Sequence, residues 1–193
     1  MFVLTVDQRG SRRDIDRVGP LLDDLASTPL LRPFERTAGD EVQAVADDAD
    51  IVVDLALDLV RREHWSVGIG VGEVEEPLPA QTRAGRGPAF EAARDAVERA
   101  KRSPSGVAVE ATDALAAADA DAALTLLALL VSRRTPQGHA AVDLARRGLN
   151  QAESAAELGI SKQAVSQRLI AAGWHAESAG RQLAARLLAR ADR

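Results

Sequence analysis

The chain has 193 residues, 46% hydrophobic and 27% charged, the balance of a globular protein of one large domain or two small ones. It contains no cysteine, which excludes disulfides, thiolate catalysis and cysteine-based zinc sites. The net charge of −5 is unevenly spread: from residue 136 onward Lys162 and seven arginines face five carboxylates, a basic segment behind an acidic body.

Residues 2–6 read as a strand, and no secretory pattern precedes Asp7, so a cytoplasmic protein is expected. Gly10-Ser11 breaks the strand, and Ile15, Val18, Leu21, Leu22 and Leu25 then recur at helical spacing. Residues 30–37 and 42–45 look like a hairpin folded at Ala38-Gly39-Asp40-Glu41. A helix is expected over 48–62 and a strand over 65–71, where Gly68 and Gly70 leave one face nearly bare. Pro88 opens a helix as a first-turn proline, and residues 107–110 form a last short strand.

This order suits an α+β fold: an antiparallel sheet with helices on one face, followed from Thr112 by helices alone. Residues 122–131 are apolar on every side and therefore buried on every side, in part against a second subunit. The run is too short to cross a bilayer, so no membrane is expected. Residues 133–138 read as a hinge. The division expected is 1–118, a connecting and dimerising helix over 119–135, and 136–193. His64, His139 and His175 are too scattered for a metal site.

Residues 151–170 read QAESAAELGISKQAVSQRLI. A first helix ends at Leu158, Gly159 makes the turn and Ser161 caps the second helix. Ala155 permits a close crossing, held by Leu158, Ile160, Val165 and Leu169. Lys162, Gln163, Ser166 and Gln167 are left outward, side chains suited to base edges and phosphates. Together with Gln151, Ser161 and Arg168 they are the expected contacts to double-stranded DNA. Over 140–173 the chain resembles the helix-turn-helix of bacterial regulators, including sigma-factor-like and MarR-like modules. Such modules usually bind as dimers on paired half-sites, which implies a homodimer. A helical hairpin used only for docking another protein is the bland alternative.

VDQRGSRR at 6–13, RTAGDEV at 36–42, VGIGVGEV at 67–74 and GPAFEAAR at 87–94 come in that order. Together they resemble the palm-like domain of class III nucleotide cyclases and the GGDEF hairpin of diguanylate cyclases, and the whole pattern is similar to the SatD family. The resemblance covers residues 1–110 and implies a ferredoxin-like fold. It implies Asp7 and Asp40 as Mg²⁺ ligands, and Ser11, Arg36 and Arg94 as contacts to a nucleotide ligand. Phe90 stands where such cyclases carry an asparagine, and a phenyl ring cannot orient a hydroxyl or phosphoryl oxygen. The reading is therefore a transcriptional regulator with a non-catalytic cyclase-like domain. Its rival is a nucleotidyl cyclase or another metal-dependent nucleotide-processing enzyme with a DNA-binding appendix. For Asp7 and Asp40 the plain alternative is turn chemistry near glycine.

Overall fold

In strand β1 (Phe2–Gln8) Phe2, Leu4 and Val6 point one way and Val3 and Thr5 the other, and all five are buried. A strand buried on both faces belongs at the centre of a sheet covered on both sides. The computed structural model, which describes residues 1–193 apart from the side chain of Arg12, has this arrangement. β1 lies between β3 (Glu41–Ala46) and β4 (Trp65–Val71), antiparallel to both. β2 (Arg32–Ala38) pairs with β3 at one edge, and β5 (Val107–Ala111) runs parallel to β4 at the other. The sheet is thus mixed, in the order β2-β3-β1-β4-β5.

The protein is α+β, with five strands and eight α-helices among the described residues. Helices α1 (Val18–Leu25) and α2 (Ala49–Arg61) cover one face, where Val52, Leu59 and Leu21 meet Leu4, Val6 and Ile69. Asp48 caps α2 by accepting from the backbone N–H groups of Asp50 and Ile51.

Helix α3 (Pro88–Ala100) lies on the opposite face, which corrects the expectation of helices on one face only. The cause is in β4. A Cβ at Gly68 would stand 2.2 Å from the Val97 nitrogen, and one at Gly70 2.0 Å from the Ala89 carbonyl oxygen. The glycines let α3 rest directly on the strand backbone, so the bare face is a helix seat.

Helix α4 (Ala114–Ser132) has 19 residues, enough by length and composition to cross a membrane; one side of it packs into the core, but Ala122 and Leu126 are exposed, which corrects the expectation of burial on every side. Its Ala116, Ala120, Leu124, Leu127 and Ala128 join the main core. Helix α8 (Trp174–Ala191) lies along it, with Ala184, Leu188 and Ala191 in the same core. The last helix therefore belongs to the sheet body, and the expected division at 136 cuts through one hydrophobic core.

Between α4 and α8, three shorter helices enclose a separate small core. They are α5 (Pro136–Arg146), α6 (Gln151–Leu158) and α7 (Lys162–Ala171). Ala141, Val142, Ala155, Val165 and Leu169 fill that core, with Leu158, Ile160 and Trp174 at its border.

Candidate nucleic-acid interface

The α6–α7 pair is built from local signals. Asn150 accepts from the Ala152 and Glu153 N–H groups while Glu153 returns to the Asn150 N–H at 2.8 Å, a capping box that starts α6. Gly159 ends it at φ 64°, a left-handed conformation that costs glycine nothing. Ser161 then caps α7, its Oγ 3.1 Å from the Ala164 nitrogen. That hydroxyl is already committed as a cap, which makes it a structural residue first. Val165 and Leu169 face inward.

Lys162, Gln163 and Gln167 are exposed, and Ser166 is half-buried beside them. With Lys162 at the edge, four residues before Ser166, the side chains of Gln163, Ser166 and Gln167 share one face. Arg168 does not: at about 100° per residue it lies roughly 140° round the helix from Gln163, on the flank of the packed side. Gln151 is exposed at the start of α6, at the far end of that helix from the turn. Ile170, 69% exposed, joins the outward face, a residue that hydrophobic patterning assigns to a core.

The positive excess of the C-terminal part is partly spent inside the molecule. Glu177 of α8 is completely buried. It accepts from Arg134 at 2.5 Å, from Arg181 at 2.8 Å, and from Arg146. Burial alone would raise its pKa. The hydrogen bonds from Arg134 and Arg181 and the charges of Arg146 and Arg181 outweigh that and hold it below the usual glutamate range. Arg134 also donates to the Ala172 carbonyl at 2.8 Å, and Arg181 pairs with Asp54 of α2. Arg61 of α2 grips Asp143 of α5 with two bonds of 2.6 and 2.7 Å. These contacts fasten the three short helices to the sheet body, and the segment 133–138 read as a hinge is itself pinned by Arg134. His139 sits at the same junction with a buried Nδ1 that has no partner. Burial, then the nearby Arg61 and Arg134, push its pKa down. Nothing in the local sequence marks Glu177 as different from any helical glutamate.

The N-terminal residues separate into groups. Asp7, Ser11 and Asp40 line one open cleft of about 790 Å³ with Arg9, Arg13, Ser66 and Lys101. Gly10, at φ 70°, leads the chain into a 3₁₀ turn over Ser11–Arg13 at its rim. Lys101, at the end of α3, places its Nζ 3.0 Å from an Asp7 carboxylate oxygen. Burial raises the pKa of Asp7, Lys101 opposes this, and the charges of Asp40 and Glu41 add to it. Lys101 already supplies the positive charge that a divalent cation would bring, so the pair fits Mg²⁺ poorly unless that ammonium leaves. No group of three or more metal-binding side chains occurs among the described residues.

Arg36 is taken up by Asp16, at 2.6 and 2.9 Å, and by the Gly39 carbonyl oxygen. Arg94 lies in a different hollow, with Arg83, Arg86 and Glu91. Phe90 is buried with its ring against Gly85, where a Cβ would stand 2.0 Å from its Cζ. The five residues expected around a nucleotide thus form a group of three and two outliers. Lys101 was missed, although it is one of only two lysines in the chain. No family model, curated protein or solved structure matches this chain.

Proposed function

We propose that this protein is a sequence-specific regulator that binds double-stranded DNA, with α6 and α7 as a helix-turn-helix and α7 as the recognition helix. One observation carries the reading: a capped helix packed by Val165 and Leu169 turns Lys162, Gln163, Ser166 and Gln167 to the outside. Glutamine and serine offer hydrogen bonds to base edges, and lysine offers charge to a phosphate. Fastening by Glu177 and Arg61 supports it too, because a rigid mount keeps a reading helix in register with its half-site.

The strand order β2-β3-β1-β4, with α1 and α2 as crossovers, supports reading the body as a ferredoxin-like βαββαβ unit, to which α3 and β5 are added. We read the body as similar to cyclase palms and to the SatD family. Lys101 on Asp7 and a buried Phe90 favour a non-catalytic body. We assign the protein to the cytoplasm and to a homodimer. Leu115 and Leu126 of α4 are 69% and 70% exposed, with exposed Ala118 and Ala122 between them, and form the surface for a second copy.

The test is duplex binding by the whole chain at rising salt. A selected genomic duplex should be retained at low salt and released steeply as salt rises. Absence of any salt-sensitive shift with genomic fragments sinks the reading and leaves protein docking. The cleft that joins Asp7, Ser11 and Asp40 favours a second role for the body, binding of a nucleotide, with Mg²⁺ only if it displaces Lys101 from Asp7. Thermal melts with Mg²⁺ and a triphosphate panel check it. A rise in Tm that is absent in Asp40→Ala supports the role, and no rise in the unaltered protein ends it.

A further inference from the structure

The outward face of α7 ends on an apolar side chain, Ile170. At about 100° per residue Ile170 falls roughly 20° from Gln163 and 40° from Ser166, and about 140° from the buried Val165. It therefore lies on the same face as the side chains assigned to base reading, just beyond Gln167 toward the C-terminal end of α7. A single exposed isoleucine on a protein surface needs no explanation. This one prolongs a polar stripe toward the end of the helix, and that stripe carries no charge except Lys162 at its edge.

In the major groove one base feature is apolar, the C5-methyl of thymine, while adenine presents the donor–acceptor pair that a glutamine matches bidentately. Guanine is read best by arginine or lysine, and the stripe of Gln163, Ser166, Gln167 and Ile170 has neither. Resting on the DNA-binding reading above, we infer that Ile170 packs on a thymine methyl and that the half-site is read as neighbouring A·T pairs. Gln167 and Ile170 are three residues apart, roughly 4.5 Å along the helix axis. Successive base pairs are separated by roughly 3.4 Å. The thymine that meets Ile170 therefore lies in the pair next to the one that Gln167 reads.

The test uses the full chain. A preferred duplex is selected from a random pool, and each thymine of the half-site is then replaced by deoxyuridine, which removes only the methyl. One replacement should weaken binding about threefold to fivefold, the weight of one buried methyl group. Ile170→Ala should bind the thymine duplex as weakly as the unaltered protein binds the uridine duplex, and should lose nothing further on that duplex. A melt of Ile170→Ala should match the parent, because the side chain is exposed. Selected binding that is indifferent to every uridine replacement, or a half-site without A·T pairs, overturns this inference while the helix-turn-helix reading stands. Failure to retain any duplex at low salt overturns both.

Discussion

In the C-terminal half Glu177 is a fully buried carboxylate held by arginines and contacts none of the residues assigned to a ligand. Its two oxygens are shared by three guanidinium groups, and Arg134 is as buried as Glu177 itself. Glu177→Ala leaves Arg134 charged in a dry place and should cost about 3–5 kcal/mol, seen as a large fall in Tm. The same site sets an acid limit. Since the arginines hold its pKa below the ordinary value, the folded chain binds the proton less tightly than the unfolded one. The stabilisation is complete above the ordinary glutamate pKa and is lost as pH falls through the lower, folded value. Denaturation followed by circular dichroism should show this as an acid transition that is weakened in Glu177→Gln. On α7, Gln163→Ala should lower discrimination between specific and scrambled duplexes by about 1–3 kcal/mol and spare non-specific binding. Lys162→Ala should weaken both alike and flatten the salt slope by about one unit. Titrations on the two duplexes separate the roles, and binding by both variants as tight as that of the unaltered protein would remove α7 from the groove.

At the scale of elements, sequence reading worked where the signal was local. The capping residues of α6 and α7, the Gly159 turn and the first-turn proline of α3 are all properties of a few adjacent residues. Helical and strand periods located α2, α3, β1 and β4 within a few residues. What periodicity does not carry is the face on which a helix docks. Gly68 and Gly70 announced a close approach without naming the partner, and that partner proved to be α3. Gly70→Val should therefore be among the worst single changes in the sheet. It drives a branched side chain into the Ala89 and Ala93 backbone, and overpacking of this kind costs about 1–3 kcal/mol or more. Val165→Asp should dismantle the small core of α5, α6 and α7 by placing an unpaired charge within it. Chemical-shift spectra should then show the α5–α7 signals collapsed while the sheet signals persist.

At the scale of the whole molecule, the basic tail suggested a separable DNA-binding piece, but α8 returns to the sheet. A fragment from residue 135 onward would expose Ala184 and Leu188, which pack against α2 and α4 in the intact chain. It should be poorly folded by circular dichroism, so binding experiments belong to the full chain. The exposed α4 stripe makes the reverse kind of prediction. Leu115→Glu with Leu126→Glu should turn a dimer into a monomer in sedimentation while preserving Tm, since both side chains are outside the core. A monomeric parent at micromolar concentration would rule out the dimer.

By itself, the sequence determined the local grammar of this protein: most strands and helices, their caps and turns, and the outward polar positions of α7. Backbone period, glycine conformation and capping chemistry act over a few residues and leave their mark in order. Tertiary structure alone decided that helices cover both faces of the sheet and that α8 shares the core of α2 and α4. It also decided that Lys101 occupies Asp7, and that Glu177 reaches Arg134 across 43 positions of sequence. Those contacts arise from shape matching and charge pairing between segments distant in the chain. A carboxylate looks the same in sequence whether its partner is water, a cation or three arginines, and only folding supplies the partner.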